Sequence, residues 1–158
     1  MNNMSSNQPL YLYQEPMFRL TVSVVVIIEN GVIVRAKDNN TCCFPCDLVR
    51  AGRETVQFAA VRQIREKLGI FLTKEALIPV DFRSDPDRST VGNEVDIGLM
   101  AIIDDIHPDS EIIKSNPNIK WMEVNFETGE LIKNNFKMIH DHDLLLNRAV
   151  DVMLMMKG

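Results

Sequence analysis

The chain has 158 residues, three cysteines and a formal net charge of −5. That length supports one substantial core and excludes two ordinary domains, and the mild acidity argues against nucleic acid as a partner. Residues 1–16 are polar, with no basic start leading into an apolar run, so they read as an N-terminal arm and not as a secretory signal. The longest apolar run, Val22 to Ile28, falls far short of the roughly 20 residues that cross a bilayer, so a cytoplasmic protein without a membrane partner is expected.

A single domain is expected over residues 17–158. Leu20 to Glu29 and Val32 to Ala36 are rich in Val and Ile and flank Asn30-Gly31, which predicts a hairpin. After the polar turn at Asp38-Asn39-Asn40, Cys42 to Val49 is short and interrupted by Pro45, as in an edge or bulged strand. From about Thr55 to Leu68, Phe58, Val61, Ile64 and Leu68 recur at helical steps, with Thr55 as N-cap and Gly69 as stop. This phasing leaves Gln63, Glu66 and Lys67 together on a solvent-side or site-side face.

Leu77 to Arg83 and Glu94 to Ile103 read as strands joined by a polar segment that carries Asp85, Pro86 and Arg88. Ile119 to Val124 reads as a further strand, followed by a turn or short helix near Thr128 to Ile132. A closing helix over Asp141 to Met156 has Leu145, Ala149, Val152 and Met156 as its buried stripe, and Asp141 as its cap.

Residues 52–70 carry the strongest motif. Glu54, Arg62, Ile64, Glu66, Gly69 and Ile70 fall in register with the Nudix box, and the segment resembles it. Three positions depart from that pattern. Gln63 stands for the glutamate after the arginine, Lys67 for the second glutamate of the closing pair, and Leu48 for the leading glycine. The trio at 63, 66 and 67 goes from three negative charges to none, with Glu66 the one acid left.

The resemblance implies an α/β fold with a mixed β-sheet sandwiched between α-helices. It further implies a pyrophosphohydrolase that uses Mg or Mn, in which carboxylates hold the ion that neutralises developing phosphate charge, and the altered positions 63 and 67 predict that this activity is weakened or lost. On that reading Glu66 holds the metal with Gln63, and Glu94 or Asp96 supplies a further acid. Glu54, Arg62 and Gly69 are the structural part of the box. The polar segment and His140-Asp-His-Asp are similar to segments of ADP-ribose pyrophosphatase-like members, which makes Arg88, Arg83 and His142 the expected contacts of a nucleoside diphosphate linked to another group; the ammonium of Lys67, at its altered box position, is expected to bind phosphate directly.

Two other classes remain open at this point. One is a non-catalytic nucleotide-binding or regulatory module, or a homodimer sealed by Tyr11 and Tyr13. The other is a redox or zinc protein built on Cys43-Phe-Pro-Cys46, although no second pair of ligands is evident to complete a zinc site.

Overall fold

The computed structural model describes residues 18–88, 93–132 and 136–158. The arm with Tyr11 and Tyr13 and part of the polar segment, residues 89–92, lie outside the described residues. The fold is a curled mixed sheet with helices on both faces. Its strands are β1 (Arg19–Ile28), β2 (Gly31–Ala36), β3 (Thr41–Cys43), β4 (Cys46–Leu48), β5 (Ile78–Arg83), β6 (Glu94–Ile103), β7 (Ile119–Asn125), β8 (Glu130–Leu131) and β9 (Lys137–Met138). The helices are α1 (Val56–Leu68), α2 (Glu111–Lys114) and α3 (His142–Lys157).

Strand β1 organises the molecule. It runs parallel to β6 along its whole length, Arg19 beside Glu94 and Ile28 beside Ile103. Its other edge is shared. Residues Val26 to Ile28 pair with β2, whereas Thr21 to Ser23 pair with β4, so β2 and β4 diverge in between. On one face Val22, Val24, Val26 and Ile28 pack under α1; on the other Val25 and Ile27 pack under α3. The second face turns polar at Thr21 and Ser23, and the site lies there.

The hairpin forms as expected, but its turn is Glu29-Asn30, with Glu29 at φ 53°, and Gly31 already belongs to β2. A side chain at Gly31 would run into the Trp121 ring, whose Nε1 donates to the Ile28 carbonyl at 2.9 Å. The Cys42 to Val49 stretch divides into β3 and β4 around Phe44-Pro45. The short element expected near Thr128 to Ile132 is a turn followed by β8.

Helix α1 begins where Thr55 Oγ1 accepts from the Phe58 N–H at 3.2 Å and ends at Gly69, whose φ of 69° suits glycine. Its buried face is Ala59, Ala60, Gln63, Ile64 and Leu68, while Phe58 is exposed and lies under the Lys74 ammonium. The expected stripe is therefore corrected at Phe58. Two alanines let the helix approach β1 closely, and that contact turns the phenyl ring out to solvent. In α3 the buried residues are His142, Leu145, Leu146, Ala149, Val150 and Met153, so the expected stripe is also corrected at Met156, which is exposed.

Candidate functional site

A cavity of about 230 Å³ opens at the polar end of β1, walled by Arg19, Thr21 and Ser23 of β1, Cys46 to Leu48 of β4, Arg88, Glu94 and Asp96, and His140 and His142 at the start of α3. The divergence of β2 from β4 makes room for it. The turn in which the Arg88 N–H donates to the Asp85 carbonyl at 3.1 Å swings Arg88 over it.

Behind the cavity is a buried charge network. Asp141 sits at the N-cap position of α3, but its carboxylate makes no cap hydrogen bond. It faces two arginines instead: Arg88 donates from Nε and Nη2 at 3.0 Å each, and Arg83 from Nη1 at 2.5 Å. The capping role expected for Asp141 is corrected on that ground. Burial would raise the Asp141 carboxyl, but the hydrogen bonds of Arg88 and the charge of Arg83 hold it below its ordinary value. Arg83 also pairs with Asp96, and Arg88 with Glu94 at 3.2 Å.

The Arg88 and Arg83 guanidinium groups, expected to meet a diphosphate, are thus buried and engaged by protein carboxylates. Arg88 still lines the cavity, whereas Arg83 lies behind it. Glu94 and Asp96, expected as supplementary metal ligands, are the partners of those arginines.

Asp96 also orders the neutral part of the site. Its Oδ1 accepts from Thr21 Oγ1 at 2.6 Å and from Ser23 Oγ at 2.9 Å. The Phe44 N–H donates to His142 Nδ1 at 2.9 Å, so the ring proton is on Nε2, which faces Ser23 Oγ at 3.3 Å. Burial, then the nearby Arg83 charge, pushes the His142 pKa down to about 3, in keeping with a neutral ring. His142 is a wall and a bracket for the Phe44 backbone. Beside it, His140 is held at φ 56° at the cavity's edge.

On the other side of β4 stand the box residues. Arg62 is the tie: it donates to Glu54 from Nε at 3.0 Å and Nη2 at 2.8 Å, to Asp47 at 3.2 Å, to Glu66 at 3.3 Å and to the Leu48 carbonyl at 3.1 Å. The hydrogen bonds of Arg62 lower the Glu54 carboxyl to about 2. In this geometry Arg62 joins Glu54 to the loop ahead of α1, and Gly69 closes the helix.

Gln63, expected on the site-side face with Glu66 and Lys67, is fully buried. Its Nε2 donates to the Val22 carbonyl at 2.8 Å, and its Oε1 has no partner among the described residues. The expectation is corrected because α1 lies flat on β1 and turns position 63 into the core. Lys67 bends back so that its ammonium donates to the Cys46 carbonyl, with Asp47 Oδ2 at 3.7 Å. It is not part of the cavity wall. Glu66 is half exposed beside Arg62.

A magnesium or manganese ion asks for several converging oxygen donors, mostly anionic. Here Gln63 points into the core, Glu66 is paired to Arg62, and a cation stands at position 67. Among the described residues no group of three or more His, Cys, Asp or Glu side chains could hold a metal ion. The residues present do not fit the ion that the box would imply. The zinc alternative finds no ligand set among them either. Cys43 and Cys46 are free thiols hydrogen-bonded to each other, which lowers Cys43 to about 7 and raises its partner. No helix among the described residues is long and apolar enough to cross a membrane.

The charges around the cavity close on themselves. Asp47, Glu94, Asp96 and Asp141 are matched by Arg62, Lys67, Arg83 and Arg88. Arg19 is left over: it lies on the cavity wall, is exposed, and has no side-chain partner among the described residues. Sequence reasoning did not single it out. Its one signal is positional, as the first residue of the strand that lines the cavity.

No protein-family model matches the sequence, and no curated protein matches it. Solved structures do. A MutT/nudix family protein from Enterococcus faecalis superposes with a TM-score of 0.67 at 20% identity, over 91% of this chain and 66% of that one. A bifunctional NMN adenylyltransferase/ADP ribose pyrophosphatase from Francisella tularensis, complexed with AMP and a Mn ion, gives 0.63 at 23%, over 90% and 42%. The Nudix domain of Shewanella oneidensis NrtR, complexed with ADP ribose, gives 0.66 at 16%, over 88% and 90%. The same NrtR is also known with a 27mer DNA, so the expectation that nucleic acid is excluded gains no support. The chain has the Nudix fold, and it spans only part of the Enterococcus and Francisella chains.

Proposed function

We propose that this protein binds a nucleoside diphosphate linked to another group, of the ADP-ribose kind, and cleaves it weakly or not at all. The observation that carries the reading is the charge of the cavity. Every acid around it is matched by a buried or half-buried base, and Arg19 remains as an uncompensated cation whose planar fork suits a diphosphate. A cavity of about 230 Å³ is smaller than sites that enclose a whole drug-sized ligand, so it takes the part of the ligand that carries the charge.

Ligands in similarly folded proteins support the same class: ADP ribose in the Shewanella domain and AMP in the Francisella enzyme. Weak or absent turnover follows from the poor fit of residues 63, 66 and 67 to a metal ion. A binding module that reports on the nucleotide fits these residues better than an enzyme that consumes it.

The test is a calorimetric titration of ADP-ribose into the full chain with magnesium present, alongside chromatographic assay for AMP. Binding that Arg19→Glu weakens by about tenfold or more, without appreciable AMP, is the expected result. Absence of binding would overturn the ligand class, and AMP release at ordinary enzymatic rates would overturn the weakened chemistry.

A further inference from the structure

The substitution at position 67 does more than delete an acid. A lysine that merely replaced a surface glutamate would extend into water and keep its rotamer freedom. This one is half-buried and places its ammonium against two oxygens of β4, the Cys46 carbonyl and the Asp47 carboxylate. An ammonium is a compact point charge with three donors, so a main-chain carbonyl and a carboxylate are suitable partners. Oxygens of the same two kinds are what a hard divalent cation takes.

Burial lowers the Lys67 pKa, while Asp47 pulls it back toward the charged form. Nearby, Arg62 holds both Asp47 and Glu66 within 3.3 Å, and Gln63 donates to the Val22 carbonyl.

We infer that the Lys67 ammonium is the resident cation of this site, seated on the Cys46 carbonyl and the Asp47 carboxylate in the place of a divalent ion, so that the protein neither needs nor admits one. The seat is closed by a covalently attached charge that cannot dissociate. Ligand binding is then indifferent to divalent ions, a consequence that rests on the proposed nucleotide reading; the occupancy of the seat does not.

The experiment therefore uses the metal alone. Mn²⁺ is titrated into the full chain without nucleotide, and free Mn²⁺ is followed by its electron paramagnetic resonance signal. The wild type is expected to leave that signal undiminished. Lys67→Glu turns the seat into a carboxylate cluster with Asp47 and Glu66, and is expected to tighten Mn²⁺ binding by about tenfold or more. Adding Glu66→Gln to that variant is expected to remove the gain. Stoichiometric binding by the wild type that Glu66→Gln abolishes would overturn the inference, as would a folded Lys67→Glu variant with no gain.

Should Lys67→Glu fail to fold, the wild type still decides. The ¹⁵N resonance of the Lys67 ammonium is expected to stay in place on addition of Mg²⁺, and displacement of that resonance by Mg²⁺ would overturn the seat. Failure of ADP-ribose to bind would contradict the proposed function and leave these metal measurements unaffected.

Discussion

Gln63, which stands where the box has the glutamate after its arginine, donates from its amide nitrogen to the main-chain carbonyl of Val22 at 2.8 Å. The bond joins the centre of α1 to the strand that organises the sheet, in a place without solvent. A carboxylate cannot take the same position as an anion, because it would set oxygen against oxygen.

Restoring the box at this position is therefore expected to harm the fold. Gln63→Glu should lower stability by about 3 kcal/mol near pH 8, measured by urea denaturation, since it buries a charge and loses a hydrogen bond. The deficit should shrink in acid, where the introduced carboxyl group is protonated and can donate to the Val22 carbonyl again. Equal stability of variant and wild type near pH 8 would contradict the geometry.

Arg62 makes a different demand. Its five contacts need a planar fork, which an ammonium does not supply. Arg62→Lys is expected to destabilise the protein by about 2 kcal/mol and to speed proteolysis of the loop at residues 50–54, although the charge is kept. Limited proteolysis with mass spectrometry reads this directly; unchanged cleavage would show that the tie is dispensable.

The buried network predicts that Asp141→Asn is costly. The substitution removes the charge facing both Arg83 and Arg88, leaving two buried guanidinium groups short of a counter-ion. A loss of about 3 kcal/mol is expected in chemical denaturation. A loss below about 1 kcal/mol, the range of exposed pairs, would mean that water reaches the network.

How far the sequence shows these features depends on how local each one is. Thr55, Gly69 and the apolar composition of Glu94 to Ile103 mark their elements within a few residues, and the corresponding ends appear in the structure. The box spacing likewise points to the fold. Gln63 and Phe58 do not follow from periodicity, because Ala59 and Ala60 set how close α1 comes to β1 and so rotate the buried face. The pairing of Asp141 with Arg83 and Arg88 joins residues more than 50 positions apart. No spacing rule connects them, so the carboxylate partners of the two arginines read as ligand contacts are not visible in the sequence. Arg19 is the converse case, an ordinary residue that becomes conspicuous once its neighbours are paired with one another.

His142 should impose a pH dependence on stability. Its folded pKa of about 3 lies below the ordinary value of 6.5, so the unfolded chain binds this proton first as pH falls. The stabilisation is fully present above pH 6.5 and is lost progressively as pH falls toward 3, with a slope of up to about 1.4 kcal/mol per pH unit. His142→Asn should flatten that slope in urea melts taken across the window. An unchanged slope would place the proton elsewhere.

The most direct test of the metal-free binding site is a crystal structure of the full chain grown with ADP-ribose and Mn²⁺, with anomalous scattering recorded for manganese. The diphosphate is expected against Arg19, with the Lys67 ammonium on the Cys46 carbonyl and no anomalous peak beside Glu66. A manganese peak bridging Glu66 and the Cys46 carbonyl, with Lys67 displaced, would contradict the account.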